Sequence, residues 1–175
     1  MNFIKGQQKE IKTIKERIIK LKLSDADCER ISKKAGKCGI SVGILLENFI
    51  GDLVGGTYTN GSDECSFADD WFERCWFSTP KETLLKHLLE QDHDVEDFLI
   101  AYDELKDYLT NPQDYSEELE AAKENGEKML WFEEDYHDCI DEFLNNKQEV
   151  DIEKEIELCQ KWLTELQSIK GIANP

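Results

Sequence analysis

Apolar residues recur every three or four positions through most of this chain, and most of these runs open and close on helix punctuation. Ile11, Ile14, Ile18 and Leu21 have helical spacing and predict a helix from about Lys9 to Lys20. From Arg17 onward the same residues also alternate. Ile19, Leu21 and Leu23 fall on one side and Ile18, Lys20 and Lys22 on the other, the period of a half-buried strand. Both readings stay open. Ser24 then caps a helix with Asp25 and Asp27 in its first turn, where the helix dipole favours acids. That helix runs to Lys37, buries Cys28, Ile31 and Ala35, and stops at Gly36 and Gly39. Ser41 caps the next, from Val42 to Val54, with Leu45, Leu46, Phe49, Ile50 and Leu53 on its apolar face.

Gly55 to Ser62 is the clearest loop and the expected domain boundary, separating a basic N-terminal module (residues 1–56) from an acidic helical domain (residues 57–175). Beyond it, Phe67, Trp71, Phe72, Trp76 and Phe77 form an aromatic run of core-like density, some of whose rings also suit an interface. Thr79-Pro80-Lys81-Glu82 reads as a helix start, with Thr79 as cap, Pro80 in the first turn and Glu82 completing a capping box. Leu84, Leu85, Leu88 and Leu89 are its stripe. Asp92 or Asp94 opens a helix that ends at Asn111-Pro112. Ser116 caps a long helix to about Asn145, in which Gly126 costs about 1 kcal/mol against Ala and marks a kink or break. Asp151 caps the last helix, which stops at Gly171. The fold class expected is mainly α: a helical bundle carrying one short N-terminal strand.

Charge changes this picture. Of 175 residues, 21 are Lys or Arg and 39 are Asp or Glu, a net charge of −18. Residues 1–60 hold 11 basic and 7 acidic side chains, and residues 61–175 hold 10 and 32. Two faces with different partners follow, because net charge speaks to partners rather than to fold. The basic end suits a nucleic acid, and the acidic bulk suits a basic protein surface. Eight Phe, five Tyr and four Trp supply a core, which argues against wholesale disorder. No apolar run approaches the roughly 18 residues of a membrane helix, and Met1 to Gln7 lacks a signal-peptide core, so a cytoplasmic protein with no membrane partner is expected. The six cysteines lack the two-residue spacing of zinc knuckles and read as small buried hydrophobes.

Candidate chemistry is sparse. Glu90 with His93, and Glu134 with His137, repeat the Glu-x-x-His spacing of di-metal bundles. The first pair straddles a turn, and acids this abundant produce such matches by chance, so no metal is expected. There is no nucleophile elbow, phosphate-cradling glycine loop or zinc-hydrolase motif, and neither an enzyme nor a cofactor is expected.

Two resemblances bear on function. Leu21-Lys22-Leu23-Ser24 followed by the Gly39-Ile40-Ser41 turn resembles ribbon-helix-helix regulators and antitoxins over about Arg17 to Val54. That likeness implies a homodimer whose paired strands enter the DNA major groove, with Lys20 and Lys22 toward the bases and Lys33 and Lys34 as further nucleic-acid contacts. The stretch from Gly43 to Tyr58, continuing through Asn60-Gly61-Ser62-Asp63-Glu64 to Asp70-Trp71-Phe72 and Cys75-Trp76-Phe77, is similar to small proteins of phages and mobile elements of gut Firmicutes. Anti-CRISPR proteins acting on type II RNA-guided nucleases are among them. This implies inhibition by binding, in the cytoplasm of a bacterial host, of a nuclease loaded with its guide RNA. Asp63, Glu64, Asp69, Asp70, Glu133, Glu134, Asp135 and Asp138 are the acids expected to pair with Lys and Arg of that partner. A DNA-binding regulator or antitoxin is the alternative.

Overall fold

The computed structural model describes residues 8–56, 63–75, 77, 81–145 and 149–171, and the chain divides into two compact units, Met1–Pro80 and Lys81–Pro175. The fold is mainly helical, with no strand among the described residues.

In the first unit residues 8–11 are helical, and residues 14–24 then run irregularly and exposed. The short N-terminal strand expected from the alternation is therefore absent, as is most of the helix over Lys9–Lys20. A period-two segment gains nothing from its pattern without a neighbouring ladder to hydrogen-bond. Helix α1 (Asp25–Lys37) starts where Ser24 Oγ accepts the Asp27 amide. Helix α2 (Val42–Leu53) starts where Ser41 Oγ accepts the Ile44 amide. Helix α3 is Glu64–Arg74. Helix α2 packs on both α1 and α3. The α1, α2 and α3 residues that become buried are Ala35, Gly51 and Ala68, all small enough to let backbones approach. Their neighbours Phe67, Trp71 and Phe72 stay exposed, so these three rings lie at the surface rather than in the core. Because α3 packs on α2, the two units divide after Pro80 rather than in the 57–62 loop, which lies outside the described residues.

The second unit contains α4 (Leu84–Glu90), α5 (Val95–Thr110), a 3-10 turn (Pro112–Tyr115), α6 (Ser116–Asn125), α7 (Trp131–Leu144) and α8 (Ile152–Lys170). Helix α5 packs chiefly on α7, and α8 covers α4 and α5. The main core joins Leu84 and Leu88 of α4, Phe98 and Tyr102 of α5, Ile140 and Phe143 of α7, and Ile156 and Cys159 of α8. A second, smaller cluster of Ala101, Ala122, Leu130 and Phe132 lies under Tyr108 and Tyr115.

Helix starts here are partly non-local. Thr83, not Thr79, caps α4 by accepting the Lys86 amide. Glu82 binds the Lys86 ammonium at 2.6 Å instead of closing a capping box, and Thr79 and Pro80 lie outside the described residues. The free Leu84 amide is taken at 2.7 Å by Glu155 of α8, 71 residues away. The expected long helix from Ser116 is broken in two. Gly126 sits at φ 78° as a left-handed stop, and its own and the next amide return to carbonyls of α6. Only glycine takes that conformation without strain. Asp94 and Asp151 cap α5 and α8 as their positions predict.

Candidate interaction site

The division at Pro80 redistributes the charge. Residues 1–80 hold 12 basic and 12 acidic side chains, and residues 81–175 hold 9 and 27, so the second unit carries the whole −18. Within that unit the acids concentrate on α7. This helix turns Phe132, Cys139, Ile140 and Phe143 inward and contains neither Lys nor Arg. At about 100° per residue, Glu134, Asp135, Asp138, Asp141 and Glu142 share about a third of its circumference, opposite the buried stripe. All five are exposed. They span roughly 12 Å of axis, close to one charge per 2.4 Å, against roughly 1.7 Å per charge for duplex DNA. The sole cationisable neighbour on the helix is His137, whose Nδ1 lies 3.7 Å from Asp141.

The expected contact residues separate into groups. Glu134, Asp135 and Asp138 lie on this acidic face. Glu133 does not. It is half-buried, and its carboxylate accepts the Leu130 amide at 2.9 Å, which fixes the start of α7. Asp63, Glu64, Asp69 and Asp70 are all exposed at the start and on the surface of α3, in the other unit, with Asp70 at 3.9 Å from Arg74. Lys20 and Lys22 are exposed in the irregular segment, not on a strand. Lys33 pairs with Glu29 at 3.4 Å, and Lys34 is exposed on α1. Glu90 ends α4 while His93 lies beyond it, and no group among the described residues is arranged to hold a metal ion. No described helix is long and apolar enough to cross a membrane. Cys139 and Cys159 are buried, but Cys28 and Cys38 are exposed, against the expectation for all six.

Spacing alone does not reveal the tyrosines that manage this charge. The Tyr115 hydroxyl lies 2.8 Å from Glu104 and 2.9 Å from Asp107, and Tyr102 donates to Glu153 at 3.0 Å. Lys106 stands 3.8 Å from Glu153 and over the Tyr102 ring. A phenol satisfies a carboxylate without a cation, which suits a unit short of Lys and Arg. The Glu104 carboxylate holds the Tyr115 hydroxyl well above the usual tyrosine range, and burial raises Tyr102 and Tyr136. Burial also pushes the Cys139 and Cys159 thiols up to about 11. A raised pKa means the folded state holds the proton more tightly. The stability it supplies is therefore complete below the unfolded value and is lost as pH rises through the folded one. Urea midpoints should hold steady from about pH 7 to 8.5 and fall from about pH 9 upward, the onset set by free thiol and phenol values. A midpoint unchanged at about pH 11 would contradict this assignment.

No protein-family model matches the chain, and no curated protein or solved structure matches it. Any functional conclusion therefore rests on the surfaces just described and on the sequence resemblances.

Proposed function

We propose that the protein is a non-catalytic inhibitor that binds a type II RNA-guided nuclease and blocks target DNA recognition or cleavage. The observation that carries this reading is the α7 face, five exposed carboxylates on a helix without Lys or Arg, at a linear charge density near that of DNA. Such nucleases hold nucleic acid in a positively charged channel, the kind of groove a rigid rod of carboxylates can occupy. The resemblance of Gly43 to Phe77 to anti-CRISPR proteins selects this target among basic grooves. Glu134, Asp135 and Asp138 are assigned as contacts, with Asp63, Glu64, Asp69 and Asp70 as a second set, and Glu133 as a residue that positions α7.

The exposed, basic 8–24 segment favours a second reading, nucleic-acid contact by a DNA-binding regulator or antitoxin. It carries Lys9, Lys12, Lys15, Arg17, Lys20 and Lys22 against Glu10 and Glu16. The two readings separate in one comparison. The full chain is mixed at low salt with a panel of type II nucleases loaded with guide RNA, and in parallel with DNA from its own promoter. An inhibitor co-elutes with a nuclease, suppresses cleavage in proportion to its concentration, and releases as salt rises. Failure to co-elute with any member, together with a shift of promoter DNA, would replace the first reading by the second.

A further inference from the structure

Trp131 opens α7 and is 53% exposed, although Phe132 beside it is 2% exposed. At about 100° per residue, its direction falls inside the sector shared by the five exposed acids of that helix. Glu134 and Asp135 follow it by three and four positions, which places their Cβ atoms about 5–6 Å from its own. An indole therefore heads the acidic stripe. The same unit shows what completes such a corner. Where the Tyr102 hydroxyl meets the Glu153 carboxylate, Lys106 stands 3.8 Å from Glu153 and 5.3 Å from the centre of the Tyr102 ring. Among the described residues that is the one cation over an aromatic ring, and α7 has no Lys or Arg to take that part beside Trp131. Among the same residues the indole has one ring contact, Phe132, edge-on with centroids 5.7 Å apart.

We propose that Trp131 is the arginine-stacking anchor of this face: a guanidinium of the basic partner lies on the indole and gives its N–H groups to Glu134 and Asp135. The inference rests on α7 being the contact surface for a basic protein, and it adds which cation that surface selects. An apolar partner side chain would cover the ring only by taking the neighbouring carboxylates out of water without pairing them, which is costly. A lysine ammonium pairs with the carboxylates but is a compact, strongly hydrated charge that gains little from the ring. A metal ion would use the acids and leave the ring idle, and no described group is arranged to hold one. A guanidinium serves both halves of the corner. It is planar and weakly hydrated, it stacks on indole, and its paired N–H donors match carboxylate geometry. Trp and Arg are also the side chains that most often dominate binding energy at an interface.

Octa-arginine and octa-lysine, peptides of equal charge, test this without a nuclease. At about 0.1 M salt, where long-range attraction is screened, the full chain should bind octa-arginine about 5-fold more tightly, the worth of one partly exposed cation–π contact. The indole N–H resonance of Trp131, assigned by its loss in Trp131→Leu, should move several times further with octa-arginine than with octa-lysine. This signal is read in the parent chain, so the test does not depend on how the variant folds. Trp131→Leu keeps an apolar side chain at the start of α7 and removes the π face. It should weaken octa-arginine about 5-fold and leave octa-lysine within about 2-fold, with far-UV circular dichroism unchanged. Trp71→Leu, in the other unit, should change neither affinity. Equal affinity for the two peptides, or no binding of either, overturns the proposal. So does an arginine preference that survives Trp131→Leu, one that Trp71→Leu abolishes, or a Trp131 resonance that octa-arginine leaves in place. The nuclease reading fails on a different result, the absence of any co-eluting guide-loaded nuclease, so the two are told apart.

Discussion

Phe98→Ala is expected to destabilise the Lys81–Pro175 unit by about 3–5 kcal/mol. Phe98 is 3% exposed and shares its cluster with Leu84, Leu88, Ile140 and Phe143. Its ring lies nearly parallel to that of Tyr136 with centroids 6.1 Å apart, so it bridges α5 and α7, the most extensively packed helix pair in the unit. Truncation removes transfer energy and leaves a cavity that packed helices cannot close, since their positions are also set by Leu88 and Phe143. Domains of this size carry about 5–15 kcal/mol in total, so much of the unit's stability is at stake. With a slope of about 1–3 kcal/mol per molar urea, the midpoint should fall by about 2 M. Leu109→Ala, at a position 71% exposed on the same helix, should stay within about 0.5 kcal/mol. A midpoint shift for Phe98→Ala no larger than that of Leu109→Ala would mean that α5 and α7 are not held together through this ring.

Phe98 was legible in the sequence, because Val95, Phe98, Leu99 and Tyr102 share one helical stripe and all four are buried. The caps Ser24, Ser41, Asp94 and Asp151 were legible for the same reason: an oxygen two or three residues from an amide acts locally. The errors came where a local pattern needed a distant partner. Alternation from Ile18 to Leu23 predicts a strand only if a second strand exists, and residues 14–24 are exposed and irregular. The aromatic run after Ser66 measures how much apolar surface is present, not what covers it, so Phe67 and Trp71 read as core and are exposed. That the Glu133 carboxylate accepts the Leu130 amide becomes visible only once the long helix is broken at Gly126. No spacing rule links Glu155 to the Leu84 amide, or Tyr115 to Glu104. The charge division was half legible. The sequence showed that charge is uneven, but only the packing of α3 on α2 shows that the first unit is neutral.

The acidic face of α7 yields the second large effect. Neutralising it by Glu134→Gln, Asp135→Asn and Asp138→Asn should weaken binding to the nuclease about 100-fold, from roughly 1 kcal/mol for each of three charge pairs. The three positions make no capping contact among the hydrogen bonds of α7, unlike Glu133, so the variant should fold normally. Removing like charges spaced four apart, Glu134 with Asp138 and Asp138 with Glu142, should offset the loss of Glu134 from the first turn, where the dipole favours it. A loss of affinity then reports on contact rather than on folding. The comparison that gives this force is an equal change of charge elsewhere: Glu117, Glu118 and Glu120 of α6 replaced by Gln. Screening limits exposed charges to about 8 Å at physiological salt, so the α6 variant should lose no more than about 3-fold if α7 makes the contact. The dependence of affinity on salt should also become shallower for the α7 variant and stay as in the parent chain for the α6 variant. Equal losses from both variants would show that net charge alone attracts the partner. No loss from the α7 variant would remove this helix from the interface and leave Asp63, Glu64, Asp69 and Asp70 to account for any binding.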